Sequence, residues 1–365
     1  MSLSVGIVGL PNVGKSTLFN ALTKKSIPAE NYPFCTIDPS VGIVPVPDNR
    51  LYKLAEFSKT EKTIPAVVEF TDIAGLVKGA ADGEGLGNKF LAHIRETDAI
   101  AQVVRIFEDQ DITHVHGEVD PLGDIGVINL ELIMADAQTV ANRIASIGKD
   151  VKRGDKKAVL ENDLLIKLET ILKDGKLASS LSLTEEEKPL VKSLHLLTSK
   201  PMMYVLNKKT GATNLDETED PRYKFLIEYF RENDAIFVKV DAAIEQDMKD
   251  FNAGEKEAFK KDMGMEDGGL DELIKKGYEL LDLITYFTTG EKETRAWTTK
   301  RDSTAPQAGR AIHSDFETKF IKADIIEWDK LLEAGSHAKA KERGWIRLEG
   351  KEYIVKDGDV IEFKV

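Results

Sequence analysis

The chain has a single cysteine, Cys35, among its 365 residues. One cysteine cannot form an intramolecular disulfide, which excludes a disulfide-stabilised secreted fold and favours a reducing compartment. No apolar run reaches the ~20 residues that a membrane span needs. The amino terminus also lacks a charged start followed by an apolar stretch. We therefore expect a cytoplasmic protein that does not enter a membrane.

Positive charge is also in short supply, since 50 basic residues stand against 63 acidic ones and give a net charge of −13. A molecule with this charge has no long-range field that attracts nucleic acid, so DNA is not an expected partner and any contact with RNA must use a local patch. The length of 365 residues exceeds one ordinary core and predicts two or three domains.

The most specific pattern in the chain is G-x-x-x-x-G-K-[ST], which occupies residues 9–16. An apolar segment, 5–8, precedes it and a helical pattern follows it, which is the order in which this motif binds phosphate. Loop glycines let backbone N–H groups surround the β-phosphate, Lys15 brings a positive charge to the β- and γ-phosphates, and the Ser16 hydroxyl is a ligand for Mg²⁺. The correct flanks disfavour a glycine-rich turn that matches by accident. The sequence therefore predicts a nucleoside triphosphate site with Mg²⁺ as cofactor.

A shorter motif, D-x-x-G, occupies residues 72–75 at the end of a predicted strand over 66–72. At that place Asp72 acts on Mg²⁺ through a water ligand and the Gly75 N–H reaches the γ-phosphate. Between the two motifs, Thr36 offers a hydroxyl to the metal, as in the first switch of GTPases; a surface threonine without a role is the alternative. The predicted metal ligands are Ser16, Thr36 and, through water, Asp72.

The motif expected to recognise the base departs from the GTPase pattern. A predicted buried strand over 201–207 ends in Asn207-Lys208-Lys209-Thr210, where a GTPase has N-K-x-D. Thr210 cannot supply the paired acceptor that binds the N1 and N2 groups of guanine, so discrimination in favour of guanine is lost. The predicted nucleotide contacts are Asn12, Val13, Gly14, Lys15, Ser16, Thr17, Gly75, Asn207 and Lys208.

Catalysis also departs from the GTPase pattern, because Leu76 follows Gly75 where a glutamine usually orients the attacking water. His114 lies in the loop after a predicted strand over 99–106, and such loops line the ligand side of a parallel sheet. An imidazole there could orient the water. A loop histidine bonded to nearby backbone is an equally good interpretation. The predicted catalytic residues are Lys15 and His114.

Strands and helices alternate outside one helical region, which predicts a parallel α/β sheet with a helical insertion. The predicted domains are 1–127 with 199–280 for nucleotide binding, 128–198 for a helical coiled coil and 281–365 for a third unit of short strands. Within the helical region, Gly148 and Gly175 are predicted to end two helices and a capping box to start a third at Thr184. Near the carboxyl terminus, Asp357-Gly358 predicts a hairpin.

Four segments together resemble the YchF subfamily of Obg-like ATPases: 9–16, 31–37, 72–80 and 83–88. The resemblance extends to the last residues, where 295–298, 311–316 and the Asp-Gly turn are similar to a TGS domain. It implies a GTPase-like P-loop α/β domain, a coiled-coil insertion and a carboxy-terminal β-grasp domain. It also implies Mg²⁺ dependence, binding of ATP in preference to or alongside GTP, and association with the ribosome, which we expect to be through the large subunit. In the base-recognition motif the family usually has N-x-x-E, whereas the fourth residue in this chain is Thr210.

Three hypotheses about function follow. The favoured one is a nucleotide-gated ATPase that engages the ribosome. The second is a true GTPase in ribosome assembly, and the third is a nucleotide-dependent scaffold without catalysis. Base preference separates the first two, and phosphate release separates both from the third.

Overall fold

The computed structural model describes residues 3–23, 40–73, 86–109, 112, 117–248, 251, 254–255, 259 and 269–364. The predicted site positions Thr36, Gly75 and His114 lie outside these ranges. The first elements in chain order are β1 Ser4–Val8, α1 Lys15–Thr23, β2 Val41–Pro45, α2 Asn49–Ser58, β3 Lys62–Ile64, β4 Val67–Asp72, α3 Leu86–Glu96, β5 Ala99–Arg105 and β6 Phe107–Glu108.

The helical region and the return of the chain to the first sheet comprise α4 Pro121–Lys152, α5 Lys156–Lys173, α6 Glu187–Leu194, β7 Met202–Asn207, β8 Thr213–Asn214, α7 Pro221–Glu232, β9 Ile236–Val240, α8 Ala242–Asp247 and α9 Gly269–Leu280. The last part of the chain contains β10 Leu283–Thr288, β11 Glu293–Lys300, α10 Ala305–Gly309, α11 Ser314–Thr318, β12 Lys322–Glu327, α12 Trp328–Ala334, α13 His337–Glu342, β13 Arg347–Glu349 and β14 Asp359–Lys364.

The first sheet confirms the predicted parallel α/β architecture. Its strand order is β2-β4-β1-β5-β7-β9, and every pair is parallel except β2 with β4. β5 is buried at all of its positions, as its apolar composition requires of a central strand. The carboxyl ends of β1, β4, β5 and β7 therefore meet at one edge of the sheet, where a doubly wound fold binds its ligand.

Two long helices, α4 and α5, form most of the helical region. They pack antiparallel, because Arg143 of α4 pairs with Glu161 of α5 at 2.6 Å on either side of a short connection. The prediction that Gly148 ends the first helix is wrong: α4 continues to Lys152 and the chain turns at Gly154, with φ of +80°. Packing of Ile147 against α5 outweighs the helix-weakening effect of one glycine. Within the described part of the chain, every helix falls short of the length or apolar content that a membrane crossing requires.

The other two predictions for this region are confirmed in outline. Gly175 follows α5 with φ of +74°, the left-handed conformation of a helix stop. The predicted capping box is present: the Thr184 N–H donates to Glu187 Oε2 at 2.9 Å, and the Glu187 N–H donates to Thr184 Oγ1 at 3.3 Å. The regular α-helix begins at Glu187, three residues after the position predicted for its start.

The second sheet has the order β13-β12-β14-β10-β11-β3. Five of these strands come from the carboxy-terminal region, but β3 comes from the segment between β2 and β4 of the first sheet. β3 pairs in parallel with β11, with Lys62 opposite Glu293 and Ile64 opposite Arg295. The two sheets therefore share a chain segment.

The prediction of an Asp357-Gly358 hairpin is wrong, since β14 pairs with β12 and β10 and not with the residues that precede the turn. Ile354 instead forms an isolated bridge with Thr304. The turn itself attaches to β10, because the Thr285 N–H donates to Asp357 Oδ1 at 2.9 Å and the Gly358 N–H donates to the Thr285 carbonyl at 2.8 Å.

Candidate nucleotide site

The predicted phosphate loop connects β1 to α1, as the motif requires. Gly14 has φ of +96°, a conformation that favours glycine, and a Cβ there would lie 2.2 Å from Asn207 Nδ2. Asn12 has φ of +63°, which asparagine tolerates better than most residues. The helix then starts at Lys15, with the Leu18 N–H donating to the Gly14 carbonyl at 2.9 Å. The sequence order of strand, loop and helix is therefore confirmed in the fold.

Lys15 lies inside this loop and is 9 % exposed. Its Nζ donates to the Leu10 carbonyl at 2.7 Å. Burial lowers the pKa of Lys15 to about 8, and the nearby Asp72 carboxylate opposes that shift. A cation held in the phosphate loop is the expected partner of transferring phosphoryl oxygens.

Asp72 ends β4 beside β1, opposite Ile7 in the strand register. Burial raises the pKa of Asp72, and Lys15 opposes that shift. Ser16, exposed in the first turn of α1, offers a hydroxyl oxygen at the same edge. Hydroxyl and carboxylate oxygens suit Mg²⁺, which is held in such sites by one or two protein groups together with phosphates and waters. The residues present therefore fit the predicted metal. Elsewhere in the described ranges, no group of three His, Cys, Asp or Glu side chains is arranged to hold a metal ion.

Asn207, at the end of β7, connects the phosphate loop to the next strand–helix junction. Its Nδ2 donates to the Val13 carbonyl at 2.8 Å, and its Oδ1 accepts the Ala242 N–H at 3.1 Å. The side chain is buried. Asn207 thus fixes the position of the loop, in addition to the nucleotide contact predicted from the sequence.

A cavity of about 270 Å³ opens between the phosphate loop and the ends of β5 and β7. Five of the predicted nucleotide contacts line this cavity: Asn12, Gly14, Thr17, Asn207 and Lys208. The other lining residues were not predicted from the sequence: Phe107, Ile112, Lys209, Ala242 and Ala243. A larger groove of about 530 Å³, lined in part by Thr139, Arg143 and Ser193, lies in the helical region. The smaller cavity is the candidate nucleotide site because the phosphate loop lines it.

Two lysines border this cavity and both are held by acids. Lys208 Nζ lies 2.7 Å from Glu217 Oε1 and 3.2 Å from Asp216 Oδ2. The pKa of Lys208 is raised by these two acids against the effect of burial. Lys209 pairs with Asp109 in the loop after β6. These ion pairs hold the two ammonium groups in place. The Lys208 and Lys209 side chains therefore form part of the cavity wall.

Thr210, which replaces the acid of the base-recognition motif, is bound by another acid. Its N–H and its Oγ1 hydroxyl both donate to Asp241 Oδ2, at 2.6 and 2.8 Å. The second oxygen of Asp241 accepts the Ile244 N–H at 3.1 Å and caps α8. Sequence reasoning identified Thr210 but missed Asp241, because 31 residues separate them.

Arg105 is a further residue that sequence reasoning missed. It ends β5, is 1 % exposed, and directs all three guanidinium nitrogens at backbone carbonyls of β6 and of the loop after it. Nε donates to Phe107 at 2.9 Å, Nη1 to Ile112 at 3.0 Å and Nη2 to Asp109 at 3.3 Å. Arg105 therefore shapes the loop that lines the cavity and leads toward His114. The available signal was an arginine at the end of a strand that is otherwise apolar except for Gln102.

Comparisons with known proteins agree with this architecture. A family model described as "50S ribosome-binding GTPase" matches residues 4–134, and a second, YchF-GTPase_C, described as a protein of unknown function, matches residues 283–365. A Bacillus subtilis relative is 53 % identical and an Escherichia coli O157:H7 relative 49 % identical, each over 100 % of this chain and 99 % of its own length. Both are named ribosome-binding ATPase YchF. The structure of the Schizosaccharomyces pombe YchF GTPase is 36 % identical, covers 100 % of this chain and 98 % of its own, and superposes with a TM-score of 0.88.

Proposed function

Because the chain belongs to the YchF family, we propose that it is a Mg²⁺-dependent P-loop triphosphatase that binds and hydrolyses ATP and uses the nucleotide to control its association with the ribosome. The observation that carries the proposal is the buried Lys15 inside the phosphate loop, with Asp72 close enough to oppose the shift of its pKa. A lysine charge, a hydroxyl and a carboxylate at one sheet edge are the parts that phosphoryl transfer requires.

Magnesium would be held by Ser16 and Thr36, and by Asp72 through water. When bound, it neutralises charge that develops on the phosphate oxygens. Lys15 contributes the second positive charge, and the backbone N–H groups from Val13 to Thr17 orient the phosphates. His114 is proposed to orient the attacking water, since Leu76 cannot.

ATP is the proposed nucleotide, with GTP accepted to a lesser or equal degree. Thr210 supports this choice, because a hydroxyl bound to Asp241 is not the paired acceptor that guanine needs. The names of the relatives differ on this point: the bacterial proteins are named ATPases and the fission-yeast protein a GTPase. A GTPase acting in ribosome assembly is therefore the second candidate.

The proposed partner is the ribosome, in particular the large subunit, and the proposed location is the cytoplasm. The names of the bacterial relatives and the description of the family model support this partner. We further propose that residues 1–127 with 199–280 form the nucleotide-binding domain, 128–198 a helical insertion and 281–365 a TGS-like β-grasp domain. The composition of the second sheet supports the third unit, apart from β3, and α5 lies within the proposed insertion, whereas α4 begins at Pro121, before the proposed boundary at 128.

Phosphate release from ATP and from GTP, measured side by side with and without Mg²⁺, tests the activity. The Lys15→Ala variant loses the positive charge that binds the phosphates, and the Ser16→Ala variant loses a metal ligand. We expect both substitutions to abolish phosphate release. Unchanged release in either variant would refute the site. A clear preference for GTP in equilibrium titration would favour the second candidate, and absence of release from both nucleotides would leave the non-catalytic scaffold.

Co-sedimentation with ribosomes tests the partner. We expect association at low salt that changes when a non-hydrolysable ATP analogue is present. If the protein fails to sediment with ribosomes at low salt in every nucleotide state, the ribosome is removed from the proposal.

A further inference from the structure

The Thr210–Asp241 pair fixes the direction of a hydroxyl group at the edge of the nucleotide cavity. Asp241 is buried and accepts three hydrogen bonds, from the Thr210 N–H, the Thr210 hydroxyl and the Ile244 N–H. A carboxylate has no hydrogen to give, so the hydrogen of the Thr210 hydroxyl points to Asp241. What Thr210 offers in any other direction is an acceptor oxygen alone.

Thr210 and Asp241 each adjoin, in sequence, a residue that lines the candidate cavity. Thr210 follows Lys209 and Asp241 precedes Ala242, and both of these neighbours line the cavity that the phosphate loop also lines. The ring of Phe107 also lines the cavity, and the Arg105 guanidinium lies over it, 4.6 Å from its centre. With the phosphates in the loop, the base is directed toward the segment from Lys208 to Thr210. Thr210 itself is exposed.

We propose that Thr210, held by Asp241, selects adenine over guanine by accepting a hydrogen bond from the amino group on C6 of adenine. This inference rests on the proposed nucleotide site and extends it to base recognition. Adenine carries one amino group on that edge, which one acceptor oxygen satisfies. Guanine carries a carbonyl at C6 and two neighbouring donors, N1–H and N2–H, which need two acceptor oxygens. Asp241 acts as a positioning residue, because it holds the Thr210 hydroxyl as an acceptor.

Asp241 also explains why an acid is disfavoured at position 210. A carboxylate placed there would lie within hydrogen-bond distance of the Asp241 carboxylate, and two like charges so close cannot both be stabilised. In this chain, acids at 210 and at 241 are therefore expected to disfavour each other. Introducing an acid at 210 should therefore increase guanine binding more when the charge at 241 is also removed.

Calorimetric titration with three diphosphates tests the base contact, because all three make the same phosphate contacts. The probes are ADP, GDP and the diphosphate of purine riboside, which is adenosine without its amino group. We expect the wild-type protein to bind ADP about fivefold more tightly than the purine riboside compound, the effect of one hydrogen bond to a neutral acceptor. The Thr210→Val variant should lose this difference and the Thr210→Ser variant should keep it. Thr213→Val, an exposed threonine on β8 in the same segment, is the matched control and should behave as wild type.

Charge coupling is tested with Thr210→Asp, Asp241→Asn and the double variant, with thermal unfolding as a check that α8 remains capped. We expect the ratio of GDP to ADP affinity to rise at least tenfold in the double variant and by less in Thr210→Asp alone. Equal affinity of the wild-type protein for ADP and the purine riboside compound, or retention of the difference in Thr210→Val, would overturn the inference while leaving the phosphate site intact. Failure to bind any of the three diphosphates would overturn the proposed nucleotide site as well.

Discussion

Arg50 of α2 and Asp357 of the turn before β14 form a two-point ion pair, with Nη1 2.5 Å from Oδ2 and Nη2 3.4 Å from Oδ1. Arg50 is oriented by Asp48 and lies over the ring of Phe287 in the second sheet, 5.4 Å from its centre. In sequence, α2 and β3 lie between Thr36 and Asp72, which are two of the predicted metal ligands. The chain between those positions is therefore attached to the second sheet.

Removing this attachment should lower stability. In the Arg50→Met variant the charge-assisted bonds to Asp357 are absent, and we expect the free energy of unfolding to fall by about 1–2 kcal/mol, since the pair is only partly shielded from solvent. Urea unfolding measures the change. Arg301→Met removes an exposed ion pair with Asp282 and is the control, with an expected change of about 0–0.5 kcal/mol. Equal effects of the two substitutions would show that the Arg50 contact adds nothing beyond a surface ion pair.

Gly14 should tolerate no side chain, because its left-handed backbone lies against Asn207. A Cβ in Gly14→Ala would displace the Asn207 amide from the Val13 carbonyl, so we expect loss of stability of about 2–4 kcal/mol and weaker nucleotide binding. Gly154→Ala is the control: φ is also positive there, at +80°, but nothing lies within 4 Å of the added atom. It should show only the backbone cost of about 1 kcal/mol. Similar losses in the two variants would contradict the role of the Asn207 contact.

Local signals predicted the parts of the fold that depend on contiguous residues. Gly9 to Ser16 predicted strand, loop and helix because each needs only its own neighbours, and the capping box at Thr184 and Glu187 is equally local. The prediction that α4 ends at Gly148 was wrong because the end of this helix depends on packing against α5, which is not a local signal.

Contacts between distant segments could not be predicted from one sequence. Nothing local indicates that Asp241 binds Thr210, or that three nitrogens of Arg105 bind carbonyls of the following loop. The Asp357-Gly358 turn was identified, but its attachment to Thr285 was not, because that contact belongs to the second sheet. The candidate site was therefore predictable as a set of motifs, and its positioning residues became visible only in the fold.

Burial of Lys15 should make the wild-type protein less stable than a variant without that charge. The pKa of Lys15 is about 8 in the fold against an ordinary value of 10.5. Below about pH 8 the buried charge lowers the free energy of unfolding by its full amount. Between the folded and the ordinary pKa, the unfolded chain binds more protons than the folded one, so the free energy of unfolding rises with pH. We expect Lys15→Met to raise the free energy of unfolding at pH 7 by about 1–3 kcal/mol and the gain to shrink at pH 9.5. Lys149→Met, at an exposed site on α4, should change stability by only about 0.5 kcal/mol. A Lys15→Met variant less stable than wild type at pH 7 would contradict this cost.

His114 should affect turnover and not affinity if it orients the attacking water. Arg105 fixes the loop carbonyls as far as Ile112, two residues before His114. We expect His114→Ala to lower the single-turnover rate of ATP hydrolysis about 100-fold while the dissociation constant of a non-hydrolysable analogue stays nearly constant. His116→Ala, in the same loop, is the control and should keep most of the rate. Equal turnover of the His114→Ala variant and wild type would return His114 to the role of a loop histidine bonded to backbone.

Contact with the ribosome should depend on a local basic patch in the last part of this acidic chain. Of the basic residues in that region, Lys319 pairs with Asp315 at 2.8 Å, and Arg347 lies 3.9 Å from Glu349. Lys339 and Arg343 are exposed, and in the described ranges neither forms an ion pair; four residues apart on and just after α13, they share a face. Arg343 also lies over the ring of Trp345, 4.8 Å from its centre. A cationic face beside an aromatic ring is suited to phosphates and unstacked bases of RNA.

Reversal of both charges, Lys339→Glu with Arg343→Glu, should therefore weaken co-sedimentation with ribosomes and reduce the slope of log affinity against log salt by about 2, one for each phosphate that is no longer bound. Lys319→Glu is the matched control, since its ammonium group is already paired within the protein. Phosphate release without ribosomes, measured in the same variants, shows whether the nucleotide site is intact. Contacts to an apolar protein surface depend little on salt. A wild-type slope near zero, or an unchanged slope in the double variant, would therefore exclude this face from the contact with the ribosome. The exposed apolar residues Leu130 and Met134 of α4 would then be the next candidates for that contact.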